Sequence, residues 1–450
     1  MRTKFLLVNA INAAKPIEAN YPPLGLGYIA SSLRERLGRD KIEFRVVCAD
    51  VDGAIADFKP DIVGISSVTQ NYNRAIACAR TAKESGLPVI CGGVHITMMP
   101  RSLNRDMDAG VIGEGEITIC ELLEAFIKDG KFSEGSLERI KGIVYWSGGG
   151  SIVQTPARDW ISGLDSLPLP ARDLLTIKEN TYIFSSRGCP YRCAFCASSR
   201  FWNKVRFFSA AYVVNEIRGL VENYGVKEIN FYDDLFCCDL NRIREMIRLL
   251  REQGMLGKVS FAGAIRANLV NDQTISLLKE MGLKKLGMGL ESGSEETLKY
   301  LKGSNINVKG NSAAIEIIRR HGIGVHCSFI IGSPFETKKD ILETLRFIKK
   351  NNLSGFDVYV LTAFPGTPVW EYAKVKGLVG EDMDWSRLNV DFEENHSRAV
   401  ILSENLTGPQ LYGFFLKFKR YRRKKELWCL VKKAFRNPFR ALRFVIRKMR

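Results

Sequence analysis

Short hydrophobic runs alternate with amphipathic stretches along the N-terminal part of the chain. Strand-like runs occur at Phe5–Val8, Phe44–Val47, Ile62–Ile65 and Val89–Ile90. Helical patterns, in which apolar residues recur every three to four positions, lie at Leu24–Leu37 and Tyr72–Ser85. This alternation predicts a doubly wound α/β domain built on a parallel sheet.

A second series of alternating strands and helices begins near residue 180. Strand-like runs are predicted at Tyr182–Ser185, Glu228–Tyr232, Val259–Ala264, Lys285–Leu290, Val325–Ile331 and Asp357–Leu361. Amphipathic helices are predicted at Val213–Glu222, Arg242–Arg251 and Asp340–Lys349. The pattern indicates a parallel sheet with helices outside it, and six β/α units are too few for a closed eight-stranded barrel.

The segments around these two series complete the predicted organisation. Gly148–Gly150 lies between two β-like runs, which is typical of a hairpin. We predict domains at 1–135 (α/β domain), 136–177 (hairpin and linker), 178–372 (second strand–helix series), 373–410 (extension over the substrate pocket) and 411–450 (basic helical tail).

Composition changes this picture mainly through charge. The 450 residues are 46% hydrophobic and 26% charged, as in ordinary globular proteins, and no apolar run approaches the ~20 residues of a membrane-spanning helix. Net charge is +17, but Leu411–Arg450 holds fifteen Lys or Arg and one acid, so the rest carries only +3. We therefore expect a cytoplasmic protein that does not bind nucleic acid.

The tail at 411–450 mixes apolar and basic residues in helical spacing, and Pro438 interrupts the pattern. Basic amphipathic helices are typical of anionic membrane surfaces, so we predict peripheral contact with the inner face of the membrane. Two alternatives remain open. The helix can instead dock on the body with a solvated basic face, or it can contact an acidic partner such as an electron-donor protein.

Three cysteines, Cys189, Cys193 and Cys196, form a C-x3-C-x2-C motif. Structural zinc requires four Cys or His ligands, and no histidine lies between this motif and the next cysteines, Cys237 and Cys238. Three thiolates suit a [4Fe–4S] cluster whose fourth iron stays open for a substrate or cofactor. We therefore favour a cluster over zinc.

This motif, with Phe195 before its last cysteine, resembles the signature of radical S-adenosylmethionine (SAM) enzymes. In that superfamily the open iron chelates SAM, and one electron cleaves SAM to methionine and a 5′-deoxyadenosyl radical. The resemblance implies an open partial (β/α)6 barrel, a role for Phe195 in binding SAM, and a flavodoxin- or ferredoxin-type reductant. It also implies anaerobic chemistry, because oxygen should inactivate the cluster.

Polar residues at the predicted strand ends match the family's SAM-binding positions. Asp233 and Asp234 follow the second strand, where a carboxylate can accept charge-assisted hydrogen bonds from the SAM ammonium group. The resemblance implies that Arg266 pairs with the SAM carboxylate. It also implies that Glu291 and Ser292 contact the ribose and methionine parts of SAM.

The N-terminal domain resembles the cobalamin-binding domain that precedes the barrel in one class of radical SAM enzymes. Small residues at strand ends leave a slot for the nucleotide tail of the cofactor and let backbone groups approach it. The resemblance assigns cobalamin binding to Leu24, Gly25, Ser66, Ser67, Thr69, Gly92, Gly93, His95, Gly113, Glu114 and Glu116.

One departure from a known cobalamin motif is clear. D-x-H-x-x-G, whose histidine binds cobalt, is absent, and the chain has four histidines in all. The motif is missing from many of the radical SAM relatives, so we predict cobalamin bound without histidine on cobalt and place His95 in the pocket. The alternative is a degenerate flavodoxin-like domain with no cofactor or with another ligand.

Together these features predict a cobalamin-dependent radical SAM methyltransferase acting on an unactivated carbon of a small or lipid-like substrate. No catalytic residue is assigned beyond the cofactors. The first alternative is a cyclase or rearrangement enzyme, resembling the anaerobic magnesium-protoporphyrin ester cyclase or hopanoid-modifying relatives. An alternative of another class is a non-catalytic module that senses cobalamin or redox state.

Overall fold

The computed structural model describes residues 2–12 and 21–436, which pack into two compact units. The first unit comprises Met1–Ala264, Glu280–Leu283 and Ala363–Asn389. The second comprises Ile265–Lys279, Lys284–Thr362 and the chain from Val390 on. The predicted interruption of the tail at Pro438, and the tail beyond residue 436, lie outside the described residues.

The first unit opens with a seven-stranded sheet in the order β2-β1-β3-β4-β5-β6-β7. Its strands are β1 (Thr3–Asn9), β2 (Ile42–Val47), β3 (Ile62–Ser66), β4 (Val89–Gly92), β5 (Ala109–Val111), β6 (Ile143–Trp146) and β7 (Ile152–Gln154). The first five are parallel, whereas β6 and β7 form an antiparallel hairpin. The hairpin and the four apolar strands expected from the sequence are confirmed.

The connecting helices cover this sheet. They are α1 (Leu24–Leu37), α2 (Val51–Phe58), α3 (Tyr72–Glu84), α4 (Val94–Met98), α5 (Gly115–Asp129) and α6 (Glu134–Leu137). α1 places Leu26, Ala30 and Leu33 on one face, and these side chains join Phe5 and Leu7 of β1 in a buried cluster. Burying an aliphatic side chain of this size contributes about 1.5–3 kcal/mol.

The strand order 2-1-3-4-5 is flavodoxin-like, so the connections reverse direction between β1 and β3. The helices that follow these two strands pack on opposite faces of the sheet. A crevice therefore opens at the carboxyl ends of β1 and β3, which is where open parallel sheets bind their ligands.

The first unit continues with three more parallel strands. Its further elements are β8 (Asn180–Ile183), β9 (Ser186–Arg187), α7 (Ser198–Phe201), β10 (Arg206–Phe207), α8 (Ala210–Tyr224), β11 (Glu228–Phe231), α9 (Leu240–Glu252) and β12 (Ser260–Ala264). β11 pairs in parallel with both β8 and β12, and β9 pairs with β10 in a short antiparallel ribbon. The segment that carries the cysteine motif lies between β9 and α7.

The second unit holds the other three strands of the series. Its elements are α10 (Asp272–Met281), β13 (Leu283–Glu291), α11 (Glu295–Lys302), α12 (Val308–Arg320), β14 (Gly324–Ile331), α13 (Lys338–Lys350) and β15 (Phe356–Val360). β14 pairs in parallel with β13 and β15. All six strands expected from the sequence form, and the predicted α/β class is confirmed.

Local sequence explains where such a helix begins and which face it buries. Thr337 and Asp340 form a capping box at the start of α13, each side chain accepting from the other residue's backbone N–H. Ile341, Leu345 and Ile348, spaced four and three residues apart, turn inward and are buried.

Three helices complete the described chain. α14 (Pro368–Val375) belongs to the first unit, and α15 (Phe392–Asn395) and α16 (Gly408–Arg436) belong to the second. The packing units divide the chain differently from the predicted domains, because the first unit contains the N-terminal sheet and also three later strands. The predicted domain bounds stay a prediction.

α16 contains the basic segment, and its first half docks on the second unit. Leu411, Phe415 and Phe418 are buried there, while Arg422 pairs with Asp357 at the start of β15. Docking of the helix on the body was one of the alternatives to membrane contact. The first half of α16 is docked in this way. Across the described residues, no helix has the length and apolar character needed to cross a membrane.

Candidate cofactor and active site

A cavity of about 720 Å³ lies in the first unit. One wall consists of the carboxyl ends of β3 and β4, the start of α1 and the turn before α5, as the strand order predicts. The other wall comes from the segment after the cysteine motif, from the end of β11 and from Phe364 and Pro365. The cavity therefore joins the two sets of residues that the sequence assigned to different cofactors.

Glycines shape the first wall of this cavity. Gly93 has φ +101°, and a Cβ there would lie 2.5 Å from the Ser67 carbonyl oxygen, so only glycine fits this turn. At Gly25 an added Cβ would meet no atom within 4 Å, which leaves open space at the start of α1. Because no side chain projects from the wall at these two glycines, a bulky cofactor could lie directly against the backbone there.

Most of the predicted cobalamin positions lie on the cavity surface. Those that line it are Gly25, Ser66, Thr69, Gly92, Gly93, Gly113, Glu114 and Glu116. Leu24 and Ser67 do not line it. Leu24 is buried in the core, and the Ser67 hydroxyl donates to the Val68 carbonyl at 3.0 Å. The structure therefore groups eight of the eleven predicted residues around one space.

His95 is the third predicted cobalamin position that does not line the cavity. Its ring stacks on Tyr72 with centroids 3.8 Å apart and meets Trp385 edge-on at 4.5 Å. Its Nε2 is hydrogen-bonded to the Ser102 hydroxyl at 2.9 Å. Burial lowers the pKa of His95 to about 3, so the ring is neutral. The expectation that His95 belongs to the pocket is wrong, because its neighbours hold it in the core.

This placement predicts the behaviour of a His95→Gln variant. The variant should bind cobalamin with an unchanged electron paramagnetic resonance spectrum of the cobalt(II) form, because no imidazole nitrogen reaches cobalt. Loss of ring packing and of the Ser102 hydrogen bond should destabilise the fold by about 1–3 kcal/mol. A nitrogen splitting that is present in the wild type and absent from the variant would contradict the assignment.

The segment carrying the cysteine motif is held by backbone contacts on both sides. Gly188 has φ +96°, and a Cβ there would lie 2.5 Å from the Lys204 carbonyl oxygen, so a glycine must precede Cys189. After the motif, the Ser199 hydroxyl donates to the Cys196 carbonyl at 2.9 Å. The backbone N–H of Val369 in α14 donates to the Ala194 carbonyl at 3.4 Å. The segment is therefore fixed at both ends and in its middle.

The three cysteines are free thiols of intermediate exposure. Burial raises the pKa of Cys189 to about 11 and also raises the pKa of Cys196, so both thiols keep their protons unless a metal displaces them. In the described parts of the chain, no three His, Cys, Asp or Glu side chains converge as the ligands of one ion would. Three thiolates suit a cluster, in which each would bind a separate iron, whereas structural zinc takes four Cys or His ligands.

The two acids after β11 have different surroundings. Asp233 is buried, and its carboxylate accepts from the Ser185 backbone N–H at 2.7 Å and from the hydroxyls of Ser185 and Ser186 at 2.6 Å. Asp234 instead lines the cavity, where the Ser198 hydroxyl donates to it at 2.5 Å. Of the predicted pair, only Asp234 is placed to meet a ligand.

Asp234 lies close to the cysteine motif. The Gly188 backbone N–H donates to its carboxylate, and the charge of Asp234 contributes to the raised pKa values of Cys189 and Cys196. Enclosure in the cavity raises the pKa of Asp234 itself, and repulsion by Asp233 adds to the effect. A cationic ammonium group beside this acid would reverse that shift.

Phe195, the aromatic residue of the motif, is half-buried but does not line the cavity. The remaining predicted SAM positions belong to the second unit. Ser292 is fully buried, and its hydroxyl bonds to the Thr344 hydroxyl at 3.1 Å and accepts from the Ser294 backbone N–H. The Ser292 side chain therefore stabilises the turn after β13 through these hydrogen bonds.

Glu291 and Arg266 both contact Lys302, a residue that was not predicted from the sequence. Lys302 Nζ lies 3.3 Å from Glu291 Oε1, and Arg266 donates to the Lys302 carbonyl at 3.1 Å. Glu291 has φ +61°, and a Cβ at Gly289 would lie 2.3 Å from its carboxylate. Burial raises the pKa of Glu291, and both cations oppose this shift. A strained, charged residue at a strand end is typical of a functional site.

Several cavity residues were not predicted from the sequence. They include Tyr28, Val68, Met98, Phe184, Arg187, Phe201, Trp202 and Tyr232. The only signal for some of them was their position beside predicted residues, as for Val68 before Thr69 and Tyr232 before Asp233. Arg187 and Trp202 flank the cysteine motif, but nothing in their spacing indicates that they face the N-terminal domain.

Comparison with known proteins agrees with this geometry. The Radical SAM superfamily matches residues 183–348, and the B12 binding domain matches residues 13–123. An "uncharacterized methyltransferase" of Pyrococcus horikoshii is 32% identical over 382 residues, covering 81% of each chain. The chain belongs to the radical SAM superfamily, in the class that joins the catalytic domain to a B12-binding domain. The cofactors of that class are a [4Fe–4S] cluster, SAM and cobalamin.

Two further comparisons, one with a sequence relative and one with a solved structure, extend this result. An anaerobic magnesium-protoporphyrin IX monomethyl ester cyclase of Rubrivivax gelatinosus is 27% identical and covers 82% of this chain and 70% of its own. The structure of the radical SAM methyltransferase TsrM from Kitasatospora setae, with cobalamin and a [4Fe–4S] cluster bound, superposes with a TM-score of 0.68. It is 19% identical and covers 84% of this chain and 76% of its own, which shows a shared fold.

Proposed function

We propose that this protein is a cobalamin-dependent radical SAM methyltransferase that methylates an unactivated carbon of a small or lipid-like substrate. The observation that carries the proposal is the cavity of about 720 Å³ in the first unit, which residues from both sets line. Gly25, Thr69 and Gly93 line it from the N-terminal sheet, and Ser198 and Asp234 line it beside the cysteine motif. Cobalamin on one wall would thus share an enclosed space with SAM on the other.

Each cofactor would be held by identifiable residues of this chain. Cys189, Cys193 and Cys196 would bind the cluster, which supplies one electron and a site for SAM at its open iron. Asp234 would accept hydrogen bonds from the SAM ammonium group. The serine, threonine and glycine residues at the ends of β3 and β4 would contact cobalamin through hydroxyl and backbone groups.

The surface of the cavity supports an apolar substrate. Phe184, Phe201, Trp202, Tyr232 and Phe364 all line it, so little water would remain around a bound substrate. Exclusion of water suits radical chemistry, because it protects a reactive intermediate from side reactions. A reductant of flavodoxin or ferredoxin type would deliver the electron, and the enzyme would work in the cytoplasm under anaerobic conditions.

Product analysis tests this proposal. Protein purified anaerobically from cobalamin-fed cells would receive SAM, a strong reductant and an extract of the source organism. We expect 5′-deoxyadenosine and S-adenosylhomocysteine together, because one SAM is cleaved by reduction and another donates its methyl group. Formation of 5′-deoxyadenosine should require intact iron and sulfide, and formation of S-adenosylhomocysteine should require cobalamin. Failure to cleave SAM would instead favour a non-catalytic sensing module.

A cyclase is the second candidate function. The similarity to the Rubrivivax gelatinosus cyclase favours it, since that relative covers 82% of this chain. The two candidates differ in one product. Methyl transfer releases S-adenosylhomocysteine, whereas ring closure would yield 5′-deoxyadenosine without it.

The second half of α16 supports membrane contact as a further part of the proposal. Leu427, Trp428 and Val431 are exposed by 63%, 51% and 43%, although each is a large apolar residue. Lys424 and Arg423 precede them on the same helix. Exposed apolar side chains beside lysine and arginine suit the boundary of an anionic bilayer.

Substitution of Leu427 and Trp428 with serine tests the membrane contact. Each apolar side chain buried in the bilayer contributes about 1.5–3 kcal/mol, so the double variant should bind phosphatidylglycerol vesicles at least about tenfold more weakly. Val375→Ser, at a residue exposed by 86% in α14, is the matched control and should bind as the wild type does. Equal binding by the double variant and the wild type would rule out this contact. Truncation after residue 410 is less suitable, since it removes the buried Leu411, Phe415 and Phe418.

A further inference from the structure

Glu114 and Glu116, which flank the start of α5, were expected to contact cobalamin. In the structure their carboxylates form ion pairs with arginines. Arg187 forms ion pairs with both glutamates, and its Nη2 lies 2.5 Å from Glu116 Oε1. Arg206 Nη1 donates to Glu114 Oε2 at 2.8 Å. The Ile161 backbone N–H also donates to Glu114 Oε2 at 2.8 Å. These glutamates therefore act within the protein rather than as free ligands.

The side chains of these ion pairs are largely buried. Arg187 is only 10% exposed, and its guanidinium lies over the Tyr28 ring at 5.4 Å and near the Trp202 ring at 5.8 Å. Although burial lowers the pKa of Arg187, Glu116 and Glu114 more than offset this and raise it. Two arginines balance two glutamates, which makes burial of all four charges tolerable.

The position of Arg187 in the chain gives these ion pairs a particular consequence. Cys189 follows two residues later, and Ser185 and Ser186 immediately before Arg187 hold the buried Asp233. On the other side, Gly113 and Glu116 line the cavity wall assigned to cobalamin. Residues 185–187 therefore connect three features: the cysteine motif, the acid pair after β11 and the N-terminal domain.

We propose that Arg187 is a positioning residue that sets the distance between the cluster and the cobalamin cobalt. Its two ion pairs fix the strand leading to Cys189 against the start of α5, so that SAM cleavage and methyl transfer take place in one geometry. This inference rests on the proposed function. A displacement of 1 Å between reacting groups can cost on the order of 10²-fold in rate, so a rigid link of this kind matters for coupling the two reactions.

Electron paramagnetic resonance of the full-length holoenzyme tests the inference. With the cluster reduced and cobalamin in the cobalt(II) form, we expect one well-defined magnetic interaction between the two centres. Arg187→Gln should weaken or broaden this interaction while iron, sulfide and cobalamin contents stay at wild-type levels. Arg187→Lys keeps the charge but lacks the planar guanidinium whose two ends bind the two carboxylates, so it should give an intermediate result.

Two further variants complete the design. Arg158→Gln removes an ion pair with Glu121, also on α5, that does not reach the cysteine segment, so it should leave the interaction unchanged. If Arg187→Gln does not fold, Glu116→Gln serves instead, because Arg187 then keeps its pair with Glu114. In the same extract, Arg187→Gln should lower the ratio of methylated product to 5′-deoxyadenosine on the order of 10²-fold.

The outcomes separate this inference from the proposed function. Wild-type magnetic interaction and wild-type product ratio in Arg187→Gln, or in Glu116→Gln where that variant replaces it, would overturn the role of Arg187 alone. A wild-type protein that binds no cobalamin would overturn the proposed function together with the inference.

Discussion

Replacing Cys193 with alanine is expected to abolish SAM cleavage and leave cobalamin binding intact. The three cysteines of the motif would each hold one iron, so loss of the middle one should leave no cluster able to bind SAM at its open iron. The cavity wall assigned to cobalamin comes from β3, β4, α1 and the turn before α5, and Cys193 belongs to none of these elements.

Mass spectrometry of 5′-deoxyadenosine and absorption spectroscopy of bound cobalamin measure the two effects in the same preparation. Cys78→Ala is a suitable control, because Cys78 is also a free thiol of intermediate exposure but lies on α3. We expect Cys78→Ala to retain iron, sulfide and SAM cleavage. Formation of 5′-deoxyadenosine by the Cys193→Ala protein would refute the cluster assignment.

The second large effect is expected when the two acids after β11 are substituted one at a time. Asp234→Asn removes the charge that would accept hydrogen bonds from the SAM ammonium group, which is an interaction of about 1.5–3 kcal/mol. The dissociation constant for SAM should therefore rise about 10- to 100-fold. Stability should not fall, because enclosure in the cavity already raises the pKa of Asp234 and disfavours its charged form.

Asp233→Asn is the matched comparison, one residue away. Asp233 Oδ2 accepts from two serine hydroxyls, and its Oδ1 accepts from the Ser185 backbone N–H. An amide nitrogen in place of either oxygen leaves a buried donor without an acceptor, so we expect a stability loss of about 1–3 kcal/mol. Equilibrium dialysis with SAM and thermal unfolding distinguish the variants. Equal SAM affinity in Asp234→Asn and the wild type would remove Asp234 from the site.

The elements of the fold follow from local sequence to a large extent. Apolar runs such as Ile62–Ile65 and Phe329–Ile331 are short, and each forms the buried part of a strand. β5, with the three residues Ala109–Val111, was not predicted, because so short a run has no periodicity. Its place in the sheet depends on pairing with β4 and β6.

Side-chain partners were less predictable. Arg187 lies more than seventy residues from Glu114, and no pattern within either segment indicates the ion pair. Asp233 and Asp234 are chemically identical in the sequence, and only the direction of each side chain at the end of β11 distinguishes their surroundings. Lys302 is one of many surface-like lysines until α11 brings it against Glu291.

His95 and its neighbours in the sequence, which were predicted to share one site, have different surroundings in the fold. Gly92 and Gly93 line the cavity as expected, and the helix α4 that follows turns the His95 ring away from it. In the core this ring finds aromatic partners in Tyr72 and Trp385, which are distant in the sequence. Three-dimensional packing therefore decides which residues of a predicted motif face the cavity.

One measurement tests the central claim most directly. SAM carrying a trideuterated methyl group would be supplied to the reduced, cobalamin-loaded enzyme with an extract of the source organism, and the products followed by mass spectrometry. The account predicts a product that carries the intact labelled methyl group, formed together with S-adenosylhomocysteine and 5′-deoxyadenosine. An altered but unlabelled product, with 5′-deoxyadenosine alone, would contradict methyl transfer and establish the cyclase alternative.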